Sequence, residues 1–399
     1  MRIGLMADIY KPHVSGVTHY ISLNKRVLEA RGHEVYVFTF GDMEYQDDED
    51  NVIRSPGVPV ADTGVYLSFR FTGSARRKLQ SMDVVHVQHP FLSGRLALRY
   101  CRPRRIPIVF TNHTRYDLYA QAYLPMLPDV VGTSFLQAYL PSFCEEVDLV
   151  IAPSQGLKQV LRDLEVSVPV HVIPNGVDLR RFPIDLQPAG RETLGIDPGS
   201  ILLVYSGRLG PEKNLTFLLR AFAGAHEAFP QARLLLLGDG PERDNLEDLA
   251  ARSGLSKEIV FLGMIPHEDV PRYLAAGDAF VTASVTEVHP LSVIEALACG
   301  LPVVGVESPG VGDTVEDGRN GLLSRHDLPA YTAKLTRLVG DEGLRSRMST
   351  EARRSAQAYD IERTAGLVED EYRHLVAEPK GESRRFWGSI WDRMWERKT

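Results

Sequence analysis

Residues 279–306 read AFVTASVTEVHPLSVIEALACGLPVVGV. The segment opens with a short apolar run, Ala279–Ala283, and closes with another, Val303–Val306. Between them, Leu291 to Ala298 is long enough for about two turns of helix. Two carboxylates, Glu287 and Glu295, bracket the start of that helix. A strand, a helix and a second strand in this order form the repeating unit of a parallel sheet with helices on its faces.

The same alternation runs outward in both directions. Strands are predicted at Ile201–Ser206, Arg233–Leu237 and Ile259–Leu262 in this half of the chain. In the first half they are predicted at Arg2–Ala7, Glu34–Phe40, Asp83–Val87, Ile108–Thr111, Leu149–Ala152 and Val170–Ile173. Most are bounded by Gly, Pro or Asn, as strand ends should be. Val17–Ala30 reads as a helix, with Val17, Ile21, Asn24 and Leu28 on one face. The pattern runs twice, with a turn at Pro174-Asn175-Gly176 and an aperiodic Pro- and Gly-bearing linker from Arg180 to Ser200. A chain of 399 residues has room for two such domains. The expectation is therefore an α/β protein of two Rossmann-like, doubly wound domains facing across a cleft. Ligands in such domains bind at the carboxyl ends of the strands.

Bulk properties narrow the class. The formal net charge of -7 gives no global attraction to nucleic acid. Cys101, Cys144 and Cys299 are few, odd in number and widely spaced. That pattern argues against a disulfide framework or a zinc site and suits a reducing, cytoplasmic compartment. No signal-peptide pattern opens the chain, and no apolar run reaches the roughly 18 residues of a membrane span.

Two loops behind strands have the residues to hold phosphate. Gly16 follows the first strand at a helix start, where backbone N–H groups and the helix dipole favour an anion. A plain turn glycine with Ser15 as helix cap is the more common explanation of such a residue taken alone. Arg208 and Lys213 lie in Ser206-Gly207-Arg208-Leu209-Gly210-Pro211-Glu212-Lys213-Asn214. Two cations there suit a diphosphate, although solvated surface cations are the commoner case. Glu295 near a helix N-terminus is favourable in itself, and spacing alone leaves the role of the carboxylate pair open.

The segment from Thr286-Glu287 through Glu295-Ala296-Leu297-Ala298-Cys299-Gly300-Leu301-Pro302 resembles the paired-glutamate signature of family-4 glycosyltransferases. Further motifs continue the pattern in family order: Ile173–Asp178, Ser206-Gly207-Arg208 with Glu212-Lys213-Asn214, Gly238-Asp239-Gly240-Pro241, Gly310, and Glu316–Leu322. The resemblance extends over nearly the whole chain to about Tyr372. It implies a GT-B fold, a retaining reaction, no metal and no cofactor beyond a nucleotide-sugar co-substrate, with UDP as the nucleotide. In the first half, Pro12–Val17, His89–Gly94 and Thr111–Tyr116 are most similar to diacylglycerol glycosyltransferases. By this resemblance Gly16 admits the donor phosphate and His113 lines the donor sugar. Arg208 and Lys213 take the diphosphate, Glu287 grips sugar hydroxyls and Glu295 holds the ribose. One departure is His289-Pro290, where many members have Phe-Gly. Proline lacks a backbone N–H, so either the bound sugar differs or the amides of Leu291 and Ser292 set its orientation, and the departure leaves the donor sugar open.

Two features suggest a lipid acceptor at an anionic membrane surface. Residues 70–115 carry ten basic side chains, Arg102, Arg104 and Arg105 among them, against the single acid Asp83. Such segments are drawn to anionic lipid, but a solvated basic helix face explains them too. All three tryptophans, Trp387, Trp391 and Trp395, share one helical face of the tail, a pattern that suits the lipid interface. The expected layout is an acceptor-side domain at 1–178 and a nucleotide-sugar domain at 179–358. A helix at 359–378 returns to the first domain, and an amphipathic tail follows at 379–399. The enzyme is expected to be cytoplasmic and peripheral to the inner face of the membrane. Two other readings stay open: a transferase with a soluble acceptor, and a non-catalytic nucleotide-sugar-binding partner protein.

Overall fold

Ile3, Gly4, Leu5 and Met6 are all buried. A strand with no solvent face belongs in a parallel sheet between helical layers, and the computed structural model places it near the middle of one. The structure describes residues 1–13, 15–60, 66–118 and 129–377. β1 (Arg2–Met6) is followed by α1 (Gly16–Ala30), β2 (Glu34–Phe40), β3 (Val52–Ser55) and a small antiparallel pair, β4 (Val58–Pro59) and β5 (Tyr66–Leu67). Then come α2 (Gly73–Leu79), β6 (Val84–Val87), α3 (Leu92–Cys101), β7 (Ile108–Thr111), α4 (Asp129–Cys144), β8 (Leu149–Ala152), α5 (Gln155–Asp163) and β9 (Val170–Val172). Seven strands form one parallel sheet in the order β3-β2-β1-β6-β7-β8-β9.

The second sheet is built from β10 (Ile201–Ser206), α6 (Leu215–Ala228), β11 (Ala232–Leu237), α7 (Arg243–Arg252), β12 (Ile259–Gly263), α8 (Val270–Ala275) and β13 (Ala279–Thr282). It is completed by α9 (Leu291–Ala298), β14 (Val303–Val306), α10 (Pro309–Thr314), β15 (Gly321–Ser324), α11 (Leu328–Gly340) and α12 (Glu342–Ala356). Its order is β12-β11-β10-β13-β14-β15, again all parallel. Both sheets are thus doubly wound, as expected. The edge strands β3 and β15 were not among the predicted strands.

The segment read as a linker packs on the second domain. Phe182 and Ile196 are buried with Leu202, Val204 and Leu274. Arg191 donates to the Ala276 carbonyl at 2.9 Å, to the Ser200 carbonyl at 2.8 Å and to Asp278 at 2.9 Å. After α12 the chain returns as α13 (Ile361–Ala377), which packs on α1 with Val368 and Tyr372 in the same core as Ile3 and Leu5. The two passages between domains run side by side. Val177 N–H donates to Tyr359 O, and Ile361 N–H donates to Val177 O, both at 2.9 Å. Among the described residues, no helix is long and apolar enough to cross a membrane. The tail with Trp387, Trp391 and Trp395 lies outside the described residues.

Candidate functional site

The carboxyl ends of β10, β11, β12 and β13 lie along one edge of the second sheet, and the loops after them interlock. Gly207 N–H donates to Leu237 O and Gly238 N–H to Gly263 O, both at 2.9 Å. Leu209 N–H donates to Asp239 O, also at 2.9 Å. The loop after β10 is further held by the Tyr205 hydroxyl, which donates to Arg208 O at 3.0 Å, and by Ser284, which donates to Glu212 O at 3.2 Å. These bonds carry Lys213 to Glu287, with Nζ 2.6 Å from Oε1. Both side chains are partly buried, at 23% and 19% exposure, so each shields the other's charge where water is scarce. Arg208 reaches further out, 63% exposed, with Glu212 at 3.5 Å. The Glu287 carbonyl accepts from Gly310 N–H at 3.1 Å, which ties this loop to α10.

α9 starts at Leu291, with Ser292 next and Pro290 at the cap position, where it makes no side-chain capping bond. A helix start cannot satisfy its own first N–H groups, so the Leu291 and Ser292 amides stay available to a ligand. Glu295, one turn on, is 5% exposed, and its Oε1 lies 2.9 Å from Nε2 of His267 in the loop after β12. His289 is buried with its ring edge-on to Tyr359, and its carbonyl accepts from Asn175 Nδ2 at 3.0 Å. The His289-Pro290 departure thus lies at the junction with the first domain.

The first domain supplies the facing wall. Ser15 caps α1 reciprocally: its hydroxyl accepts from Thr18 N–H at 3.2 Å, and Thr18 Oγ1 accepts from Ser15 N–H at 2.8 Å. Ser15 is thus the helix cap, and the cap uses one N–H and leaves those of Gly16 and Val17. A side chain at Gly16 would first meet Leu291 of the other domain, 3.9 Å from its Cβ. His19 stands one turn along α1, its ring 4.1 Å from that of His267. After β7, the half-buried His113 meets Gln88 Oε1 through Nε2 at 2.7 Å and sits edge-on to Tyr20 at 4.7 Å. Burial, with His89 and His86 beside it, lowers the His113 pKa well below the ordinary histidine range. The ring is therefore uncharged at neutral pH. Asp8 receives Ser93 N–H at 2.6 Å at the start of α3, and its own N–H donates to His89 Nδ1 at 3.1 Å.

Gly16, Leu291, Ser292 and Glu295 thus converge from opposite sides of one cleft, with Lys213, Glu287 and Arg208 behind the second-domain strands and His113 behind β7. Sequence reasoning missed His19, His267 and Gln88. The basic cluster behaves differently. Arg102 is turned inward and donates to the Glu146 carboxylate at 2.9 Å and to its carbonyl at 3.1 Å. Arg104 and Arg105 are exposed but lie just before β7, at the edge of the sheet away from the strand carboxyl ends. They do not line the cleft.

Residues 14–181 match the family described as Glycosyltransferase Family 4, and residues 187–355 the one described as Glycosyl transferases group 1. The alpha-monoglucosyldiacylglycerol synthase of Streptococcus pneumoniae is 33% identical over 339 residues, covering 82% of this chain and 76% of that protein. The protein of the same name from Acholeplasma laidlawii is 30% identical over 337 residues, covering 81% and 84%. Among solved structures, Anabaena HepE in complex with UDP superposes with a TM-score of 0.75 over 94% of this chain and 100% of that one, at 19% identity. At that identity the likeness is one of fold.

Proposed function

Because the chain belongs to the family-4 glycosyltransferases and has their GT-B fold, we propose that it transfers a sugar from a nucleoside-diphosphate donor to diacylglycerol or a similar lipid, giving an α-linked glycolipid. The observation that carries this reading is the Lys213–Glu287 pair at 2.6 Å, set behind the second-domain strands. A cation held there can neutralise a departing diphosphate, and a carboxylate held there can accept hydrogen bonds from sugar hydroxyls. Arg208 and the amides at the start of α1, beside Gly16, add to the anion's environment. The uncharged His113 lines the sugar. Glu295 takes the ribose, and the Leu291 and Ser292 amides orient the donor. UDP, which Anabaena HepE binds, is the nucleotide to try first. The two relatives are named as synthases of alpha-monoglucosyldiacylglycerol, and that supports the lipid acceptor.

Transfer then proceeds with retention on one face of the sugar. The bond from the anomeric carbon to the diphosphate oxygen breaks as the acceptor oxygen bonds to the same face, and the leaving phosphate oxygen takes the acceptor's proton. Catalysis is orientation and charge stabilisation, with no metal and no cofactor beyond the donor. The tail at 379–399, with Trp387, Trp391 and Trp395, and the exposed Arg104 and Arg105 provide peripheral contact with the inner membrane face.

The test is a product scan by mass spectrometry, with purified protein, diacylglycerol-containing liposomes and a panel of UDP- and GDP-sugars, with and without chelator. A lipid gaining one hexose or uronic acid, undiminished by chelator, is expected. Slow donor hydrolysis without a lipid product would keep the transferase and assign it a soluble acceptor. Donor binding without any turnover would point to a non-catalytic sugar-nucleotide-binding protein.

A further inference from the structure

Glu295 is buried, and only one of its oxygens has a described partner, His267. The partner is itself held. Arg181 Nη1 lies 2.7 Å from His267 Nδ1, and Arg181 Nη2 donates to the His267 carbonyl. A guanidinium offers only donors, so Nδ1 must present its lone pair to Arg181. The ring hydrogen then sits on Nε2 and points at Glu295 Oε1. Arg181 thereby sets the tautomer, and the tautomer sets which atom of Glu295 is occupied. From the other domain, His19 covers one face of the ring at 4.1 Å. Burial, with the Arg181, Arg26 and Lys11 cations nearby, pulls the His19 pKa down to about 3, so it covers the ring without adding charge.

His19, His267 and Glu295 also have the donor types of a metal site, with atoms within 4.8 Å of one another. Arg181 argues against that use. Coordination through Nε2 would require the hydrogen on Nδ1, facing a guanidinium, and further cations stand nearby. An anion-bearing ligand suits the site better.

We propose that His267 is a positioning residue for the donor: fixed by Arg181, it occupies Oε1 of Glu295 and aims Oε2 at the ribose hydroxyls. The proposal rests on the reading above that Glu295 meets the ribose. It adds the Arg181–His267 relay, which spans the start of the second domain and the loop after β12, and which His19 covers from the first domain.

Full-length wild type, His267→Ala and His267→Gln are titrated calorimetrically with UDP and with 2′,3′-dideoxy-UDP. Wild type should bind UDP about tenfold or more tighter than the dideoxy compound, the worth of charge-assisted hydrogen bonds to a carboxylate. In His267→Ala that ratio should fall to about two, because UDP weakens while dideoxy-UDP binds as before. Donor KM should rise about tenfold with kcat changed by less than about threefold. His267→Gln, with an amide N–H near the Nε2 position, should recover part of the ratio. An unchanged ratio in His267→Ala, or equal weakening of both ligands, would overturn the proposal by reducing His267 to a packing residue. Wild type binding neither ligand, or binding both equally, would overturn the ribose reading beneath it before any variant is compared.

Discussion

Lys213 and Glu287 are 74 residues apart in the chain and 2.6 Å apart in the fold, so changing one alters the other. Glu287→Gln keeps an acceptor for sugar hydroxyls but removes the carboxylate charge beside Lys213, which on the proposed reading strengthens the hold of Lys213 on the diphosphate. Turnover should fall by about 100-fold or more, the size typical of losing one preorganised electrostatic contact. The melting temperature should barely move, since both groups are part-exposed and such pairs add only about 1 kcal/mol or less to stability. Steady-state kinetics beside thermal melting checks this, and near-normal turnover would remove Glu287 from the chemistry. The sequence placed each of these two residues behind a strand, and only the family resemblance gave them expected roles. Their pairing was not legible there, and neither was His267. In Met264-Ile265-Pro266-His267-Glu268-Asp269 the histidine reads as an ordinary turn residue. What distinguishes it is Arg181 on one side and His19 on the other, and sequence order does not show such contacts.

Elements were legible where burial was complete. β6, β7, β8, β13 and β14 are buried along their whole length, and an unbroken apolar run is what a covered parallel strand needs. The missed strands lie at edges. Three of the four residues of β3 are only half-buried, so no apolar run marks it. β15 begins at Gly321, where a Cβ would fall 2.3 Å from Val303 O; it pairs with β14 because a side chain is absent, which periodicity cannot register. The loops after β10 and β11 follow the same logic more strictly. Gly238 has φ +132°, and a Cβ there would sit 2.0 Å from Gly207 O. Gly238→Ala must therefore separate the two loops that position Arg208 and Lys213. It should destabilise the second domain by about 3 kcal/mol or more and abolish UDP binding. Urea unfolding followed by UDP titration of any folded fraction measures both effects. A wild-type unfolding midpoint would show that the loops can part cheaply.

At the scale of the whole molecule, two domains share one short junction, and the return of α13 to the first domain closes the chain on itself. Glu369 anchors that return. Its carboxylate lies 2.8 Å from His33 Nε2, 3.0 Å from Arg31 Nη1 and 2.5 Å from Arg373 Nη2, at 8% exposure. Burial alone would raise its pKa, but the hydrogen bonds from His33, Arg373 and Arg31 outweigh it and bring the value from the ordinary 4.5 down to about 2. The folded value lies below the unfolded one, so the charged carboxylate stabilises the folded chain above about pH 4.5, and this contribution fades as pH falls towards 2. Glu369→Gln removes one partner of a buried ionic cluster and should cost about 3 kcal/mol at pH 7. Hydrogen exchange should rise first in α13, because that helix loses its Glu369 tie to the turn between α1 and β2 and keeps the Arg31–Glu362 contact there, while both sheets keep their cores. The difference in melting temperature between wild type and variant should be widest near neutrality and narrow as pH drops from about 4.5 towards 2, as the carboxylate protonates first in the unfolded chain and then in the folded one. A gap that stays constant from pH 7 to pH 3 would mean that α13 is held by Val368 and Tyr372 packing alone, with the charge cluster contributing nothing to how the domains are joined.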